Sequence, residues 1–293
     1  MIIDAHSHIK AGKNFNNDYI NFINDLNCNN IDKAIVSIDP FTKDFKCKHD
    51  EMHYVSINDY GKKVRTKCHT CNTEKIYDND PFEKYNEQLF SINDPKIIPF
   101  LMLSVTNNTM EKTAKKFLEV YNNKIAGLKL YTGLSEVYLD DIRNFDFELP
   151  LLIHVGYQHN QNPKNMIEFL KKYRGNVILA HYARFSQEAI DLIKCSDNIF
   201  IDTSPTMYLY DHYIKDYHKG GLINRDGLIL PEDFYYKAIE TVGIDKMVFG
   251  TDYPFSDRKI EIDLLNKLNL SNNDYEKITN GNIKRILRRN LND

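Results

Sequence analysis

Eight short, almost wholly apolar runs recur along the chain, and longer amphipathic runs separate them. Continuous apolar runs are typical of parallel strands that are covered on both faces. Eight such strands with intervening helices predict an α/β fold, a (β/α)₈ TIM barrel. An open, doubly wound sheet is the alternative, although no Gly-rich phosphate loop follows the first strand. The predicted strands are the one that begins at Ile2, then Lys33–Ile38, Ile97–Val105, Ile125–Tyr131, Leu149–Val155, Val177–His181, Ile199–Thr203 and Met247–Asp252.

Length and charge narrow the class of protein. The 293 residues suffice for one large barrel, so we treat 1–293 as a single domain. A net charge of -3 leaves no basic excess of the kind that nucleic-acid-binding proteins carry. No segment resembles a secretory signal or a membrane span. We therefore expect a cytoplasmic protein that acts on a small molecule, without nucleic acid or membrane as a partner. Such barrels often form homodimers, but no residue decides the oligomeric state.

Polar side chains end several of the predicted strands. His6 and His8 end the first strand, and in an extended chain residues i and i+2 project to the same side. Two neutral imidazoles on one edge begin a site for zinc, iron or manganese. Because the ends of parallel strands meet at one mouth of a barrel, we expect these side chains to converge there. For any one of them, a buried and hydrogen-bonded polar residue is the alternative. The others are Lys129, His154, His181 and Asp252, which end the fourth, fifth, sixth and eighth strands.

Five pieces of this sequence match a known family in their order along the chain. The chain resembles the amidohydrolase superfamily, in particular its amidohydrolase-related branch of metal-dependent hydrolases and decarboxylases. The family's fold is the (β/α)₈ barrel, which agrees with the strand count. The matching pieces are DAHSH at 4–8, GLKLY at 127–131, LPLLIHVG at 149–156, ILAH at 178–181 and FGTDYPF at 249–255.

The resemblance implies a catalytic metal site at the barrel mouth. Asp252 would also move a proton from water to the leaving group, and His181 would orient or polarise the bound oxygen. Zinc is the most common metal in this branch, and another divalent metal would fit the same ligands. The implied ligands are His6, His8, His154 and Asp252.

The role of the lysine on the fourth strand has two alternatives under this resemblance. Some superfamily members carbamylate the lysine to bridge two metals, and His181 would then bind the second metal. In the branch resembled most closely, the site holds one metal and the lysine stays an amine. Lys129 would then pair with a substrate carboxylate, as would Arg184. Tyr131 and Tyr157 are candidates for lining the substrate pocket, with packing at the barrel top as the alternative.

Residues 41–80 interrupt the barrel pattern after the second strand and contain three of the five cysteines. β-prone residues on both sides of Asp59-Tyr60-Gly61 predict a hairpin. A Cys-x-x-Cys pair is a half-site for tetrahedral zinc, so we predict a small zinc-ribbon-like insertion with one structural zinc. Free thiols on a solvated loop are the alternative. The predicted ligands are Cys47, His49, Cys68 and Cys71, with His53 as the alternative to His49.

These features together favour a metal-dependent hydrolase that cleaves an amide, ester or lactone of a small molecule. A non-oxidative decarboxylase of a small unsaturated or aromatic acid is the alternative, because it would use the same metal ligands. His6 favours hydrolysis modestly, since some decarboxylases of the family have glutamate there. A third hypothesis is a non-catalytic scaffold whose Cys-rich insertion binds a partner. Residues 204–230 are expected to form a lid or pocket wall. Cys28 and Cys195 lie in apolar helical patterns that predict burial.

Overall fold

Each predicted strand is present, and the eight parallel strands form a nearly closed barrel in chain order. The computed structural model describes residues 1–39, 55–60, 63–68, 71–77, 79–106, 109–133, 137–156, 159–211 and 230–287. The barrel order is β1-β2-β6-β7-β8-β9-β10-β11, and a separate sheet contains β3-β4-β5. The strands are β1 (Ile3–Ile9), β2 (Lys33–Ile38), β3 (Val55–Tyr60), β4 (Lys63–Cys68), β5 (Glu74–Tyr77), β6 (Ile97–Ser104), β7 (Gly127–Tyr131), β8 (Leu151–Ile153), β9 (Val177–Leu179), β10 (Ile199–Asp202) and β11 (Met247–Val248).

The amphipathic runs form helices between the strands. In the helix predicted over 109–121, Ala114 and Phe117 are buried while Val120 is exposed, as one apolar stripe requires. Within the described part of the chain, no helix combines the length and apolar character needed to cross a membrane. The helices are α1 (Phe15–Cys28), α2 (Glu83–Ser91), α3 (Met110–Tyr121), α4 (Ile167–Lys172), α5 (Gln187–Cys195), α6 (Pro231–Val242), α7 (Arg258–Lys267), α8 (Asn272–Glu276) and α9 (Asn282–Leu287).

The seam between the last and first barrel strands brings the segment after β11 beside the end of β1. The amide of Ala5 donates to the Phe249 carbonyl at 2.8 Å, and the amide of Asp252 donates to the His6 carbonyl at 2.7 Å. The amide of His8 donates to the Tyr253 carbonyl at 2.7 Å. The backbone therefore fixes Asp252 beside the two histidines of the first strand.

A local irregularity in β1 directs its histidines. The pairing of β1 with β2 shifts between Asp4 and Ser7. Ile3 precedes the shift and Ala5 lies within it, and both side chains pack in the apolar cluster inside the barrel. Bulges of this kind re-aim side chains and are common beside active sites. The shift thus lets His6 follow Ala5 into the interior.

The insertion contains the predicted hairpin. β3 and β4 pair antiparallel from Val55 opposite Cys68 to Tyr60 opposite Lys63, which confirms it. β5 adds a third antiparallel strand that the sequence did not predict. Cys47, His49 and His53 lie outside the described residues, so the zinc site stays a prediction. The thiol of Cys71 lies 3.0 Å from the Thr73 hydroxyl.

The predicted burial of two cysteines is wrong. Cys28 and Cys195 are both exposed. Each is the last residue of its helix, α1 and α5 respectively. The last buried residue of each helix lies two residues before its cysteine, at Leu26 in α1 and Ile193 in α5. The final residue therefore lies past the buried face.

Candidate metal centre

Three side-chain atoms converge at the barrel mouth. His6 Nε2, His8 Nε2 and Asp252 Oδ1 form a triangle in which every edge is 3.2 Å. Zinc–nitrogen and zinc–oxygen bonds of about 2.0–2.1 Å in a tetrahedral site place neighbouring ligand atoms about 3.3 Å apart. The three residues are 0%, 3% and 8% exposed. They form a group that could hold a metal ion.

Hydrogen bonds on the far side of each imidazole determine which nitrogen faces this triangle with a lone pair. His6 Nδ1 lies 2.7 Å from an Asp202 carboxylate oxygen, which accepts and so places the ring proton on Nδ1. His8 Nδ1 lies 3.2 Å from the Ile38 carbonyl, with the same consequence, and 2.9 Å from the Ser37 hydroxyl. Both Nε2 atoms therefore present lone pairs to each other and to Asp252.

Three acceptor atoms with no proton of their own repel one another, and a cation close to them offsets that repulsion. Burial, together with the charge of Lys129, holds the pKa of His6 well below its usual value, so its imidazole stays neutral. Two imidazole nitrogens and one carboxylate oxygen suit zinc, manganese or iron. The donor set therefore fits a divalent metal.

Lys129 places an amine against the same triangle. Its Nζ lies 2.7 Å from His6 Nε2, and the side chain is completely buried. Burial lowers the pKa of Lys129 to about 8, while the carboxylates of Asp252 and Asp202 oppose that shift. The amine donates to the Nε2 lone pair of His6, which a bound metal would take in its place, so the structure places this predicted residue within the site.

His154 and His181 form a pair beside the triangle. His181 Nδ1 lies 2.9 Å from the Ser204 carbonyl and therefore carries its proton. His181 Nε2 then accepts from His154 Nδ1 at 3.0 Å, which leaves the lone pair of His154 on Nε2. Burial lowers the pKa of both imidazoles well below the usual value. The structure thus brings three of the four predicted ligands together, and it gives His154 the tautomer that a metal ligand needs.

Asp202, at the end of β10, is the functional residue that the sequence reasoning missed. Its Oδ2 lies 2.7 Å from His6 Nδ1, and its Oδ1 accepts from the backbone amides of His181 at 2.8 Å and Ser204 at 3.1 Å. Burial raises the pKa of Asp202 to about 6, against the lowering effect of those amides. The sequence contains a signal for this residue, because Asp202 lies at the end of the seventh apolar run just as His154 lies at the end of the fifth.

A left-handed turn follows β9. Five consecutive residues, none of them glycine, have φ between 48° and 59°, from His181 to Phe185. Each left-handed L-residue costs roughly 1–2 kcal/mol, so surrounding contacts must hold the turn. Tyr182 supplies them, because its ring is buried against Phe234 and its hydroxyl lies 2.8 Å from that of Thr206.

This turn carries Arg184 to the barrel mouth. Its Nε donates to the Val155 carbonyl at 3.3 Å, directly beyond His154. Its charge contributes to the lowered pKa of His154 and of His181. Tyr131 is buried with its ring centroid 4.7 Å from that of His154. Tyr157 lies outside the described residues.

Comparison with known proteins decides the family. A family model described as Amidohydrolase matches residues 89–289. The chain belongs to the amidohydrolase family. As an amidohydrolase it is an enzyme of a superfamily that contains both hydrolases and decarboxylases. No curated protein matches the sequence.

Solved structures of other proteins share the fold of this amidohydrolase. The 2,6-dihydroxybenzoate decarboxylase from Rhizobium is 11% identical with a TM-score of 0.59, covering 99% of both chains. A dihydroxybenzoic acid decarboxylase from Polaromonas sp. JS666, with bound manganese, is 11% identical with a TM-score of 0.59, covering 100% of this chain and 99% of the other. A Pseudomonas putida protein with a suggested 2-pyrone-4,6-dicarboxylic acid hydrolase activity is 11% identical with a TM-score of 0.60, covering 99% and 98%.

Proposed function

We propose that this amidohydrolase is a metal-dependent hydrolase that uses metal-activated water to cleave an amide, ester or lactone bond of a small molecule. The observation that carries the proposal is the triangle of three acceptor atoms, each 3.2 Å from the other two. His6 and His8 would hold the metal with Asp252, and His154 would be the fourth ligand through its Nε2. Zinc is the proposed metal, and manganese fits the same donors.

When bound, the metal supplies a Lewis acid that activates water and polarises a carbonyl oxygen. The residues of the chain transfer the proton and orient the metal ligands. The amide of Asp252 is fixed to the His6 carbonyl, so its carboxylate is held at the mouth to take a proton from the attacking water. The same carboxylate then returns the proton to the leaving group. His181 orients His154 through the hydrogen bond between their rings.

The charge around the site supports a substrate that carries a carboxylate. A divalent metal, Lys129 and Arg184 together contribute four positive charges, and Asp202 and Asp252 contribute two negative charges. The resulting excess of about two positive charges attracts an anion into a buried mouth. The similar structures named above are associated by name with carboxylic acids, 2,6-dihydroxybenzoate and 2-pyrone-4,6-dicarboxylic acid.

Decarboxylation of a small unsaturated or aromatic acid is the second candidate. The same triangle and the same cations serve a substrate whose carboxylate leaves as carbon dioxide. Two of the three similar structures are decarboxylases, which favours keeping this candidate. The structural zinc of the insertion, with Cys47, His49, Cys68 and Cys71 as ligands, and a homodimer remain further proposals.

Isotope incorporation separates the two reactions. The metal-loaded enzyme would be incubated in H₂¹⁸O with a panel of aromatic acids, pyrone carboxylates and carboxylate-bearing esters and amides, and the products analysed by mass spectrometry. Hydrolysis predicts a product acid that contains one ¹⁸O, without release of carbon dioxide, and Asp252→Asn should not form this product. Carbon dioxide release from an acid that takes up no ¹⁸O in its remaining product would replace hydrolysis by decarboxylation.

A further inference from the structure

The structure contains a second cluster of potential ligands that shares one histidine with the first. His6, His181 and Asp202 have side-chain nitrogen and oxygen atoms close enough together to hold a metal ion. This cluster differs from the triangle in one chemical respect. Its closest pair, His6 Nδ1 and Asp202 Oδ2 at 2.7 Å, is a donor facing an acceptor. Hydrogen bonds therefore satisfy it without a cation.

Asp202 uses both carboxylate oxygens in this cluster. Oδ2 accepts from the His6 ring, and Oδ1 accepts from the amides of His181 and Ser204 and from the Ser204 hydroxyl, at 2.8, 3.1 and 3.1 Å. The carboxylate is completely buried. Because two backbone donors face Oδ1, the carboxylate has one orientation, and Oδ2 is held on the imidazole.

The end of β10 also controls the second pair of histidines. The Ser204 carbonyl accepts from His181 Nδ1, and His181 Nε2 accepts from His154 Nδ1. The Ser204 carbonyl thus places the proton of His181 on Nδ1, and His181 in turn places the proton of His154 on Nδ1. His154 keeps its lone pair on Nε2, and His6 keeps its own on the atom that faces the triangle.

We infer that Asp202 is a positioning residue for the metal centre, and that the segment from Asp202 to Ser204 sets the tautomers of His6 and, through His181, of His154. The inference rests on the proposed metal site and adds the residues that prepare it. Asp202 touches neither metal nor substrate. It acts by fixing the proton on the outer nitrogen of His6. Residues that orient metal-bound histidines in this way typically change metal affinity about 10–100-fold when they are replaced.

Asp202→Asn tests the inference because it replaces one acceptor oxygen by a donor NH₂ group and changes little volume. The two backbone amides at Oδ1 favour the amide oxygen there, which turns the NH₂ group toward His6 Nδ1. His6 then has to accept on Nδ1 and carry its proton on Nε2, where the metal should bind. We expect zinc affinity, measured by competition with a chelator, to fall about 10–100-fold.

A matched control separates this effect from general damage. Asp80 is also buried and also accepts two backbone amides, from Phe82 at 2.9 Å and Ser104 at 2.8 Å, and no imidazole among the described residues donates to it. Asp80→Asn should leave zinc affinity unchanged. Equal losses in both variants, or wild-type affinity in Asp202→Asn, would overturn the inference.

Nitrogen-15 spectra of the imidazoles in metal-free wild-type protein provide a readout that does not require Asp202→Asn to fold. The inference requires protonated Nδ1 and unprotonated Nε2 in His6, with its signals assigned from a His6→Gln variant. A proton on Nε2 in the wild type overturns it. If the wild type binds no divalent metal, the proposed function fails, while the tautomers of His6 in the wild type and in Asp202→Asn still decide this inference separately.

Discussion

Gly250 shows how closely the residues of the metal centre are packed. A Cβ atom at this position would lie 3.1 Å from the Cβ of His6 and 3.3 Å from that of Asp202. Both distances are shorter than nine in ten contacts of real Cβ atoms. A methyl group there would require the imidazole of His6 and the carboxylate of Asp202 to shift by a few tenths of an ångström.

Gly250→Ala should therefore weaken metal binding without removing any ligand. We expect zinc affinity to fall roughly tenfold, as for loss of an orienting contact, and stability to fall by about 1–3 kcal/mol from overpacking. Chelator competition and urea unfolding measure the two effects. Gly281→Ala is the control, since its Cβ would meet nothing closer than the Glu276 carbonyl at 3.7 Å. Unchanged zinc affinity in Gly250→Ala would show that His6 and Asp202 tolerate displacement.

At the scale of elements, a buried arginine of helix α7 stabilises the seam between the last and first strands of the barrel. Arg258 is fully buried and donates to Asp4 at 3.1 Å and to Asp25 at 2.6 Å. Its guanidinium lies 4.3 Å from the ring centroid of Phe22 and 3.9 Å from that of Tyr253. Asp4 also accepts from the Thr251 hydroxyl at 2.6 Å, so this network joins β1 to the segment that carries Asp252.

Arg258→Met should destabilise the protein by about 3–5 kcal/mol, because it leaves the buried Asp4 carboxylate without its cation. Urea unfolding at pH 7 measures the loss. Lys259→Ala, one residue along the same helix, removes only an exposed pair with Asp263 and should cost less than about 0.5 kcal/mol. A loss in Arg258→Met as small as that in Lys259→Ala would mean that the seam is stable without this cation.

The same helix holds the start of the long segment after β10. Glu261 is buried and accepts from the amides of Thr206 at 3.2 Å and Met207 at 3.3 Å, and from the Ser256 hydroxyl at 2.7 Å. Burial raises the pKa of Glu261 to about 7, despite those donors. A carboxyl whose pKa is higher in the folded state binds its proton more tightly there, so folding favours the protonated form.

The stability contributed by Glu261 is therefore complete below about pH 4.5 and declines as the pH rises through about 7. In Glu261→Gln this decline is absent. We expect the stability of wild type relative to Glu261→Gln to fall by on the order of 2–3 kcal/mol between pH 5 and pH 8. Urea unfolding of both proteins across this range measures the difference. A constant difference would mean that Glu261 does not titrate with a raised pKa in the folded protein.

At the scale of the whole molecule, the sequence predicted the barrel and the convergence of the site because both follow from repeated local patterns. Eight apolar runs gave the strands, and a polar residue at the end of a run marked the mouth. Asp202 follows the same pattern, although it is not among the predicted site residues. The triangle of His6, His8 and Asp252 required in addition the shift in β1 and the seam that joins β11 to β1, which no local pattern encodes.

The left-handed turn after β9 marks the limit of prediction from local sequence. His181 to Phe185 contains no glycine or asparagine, the residues that favour positive φ. The turn exists because Tyr182 packs in the core and the His181 amide binds Asp202, contacts from elements distant in sequence. The burial predicted for Cys28 and Cys195 failed for a related reason, because helical periodicity does not specify where a helix leaves the core.

The central claim is that His6, His8 and Asp252 bind a divalent metal. Elemental analysis of wild type and of Asp252→Asn, purified in parallel without added metal, tests it most directly. Asp252→Asn weakens one ligand and keeps the backbone amide that is bonded to His6. We expect the variant to contain one fewer metal per chain than the wild type, whatever the insertion contributes to both. Equal metal content in the two proteins would contradict the claim.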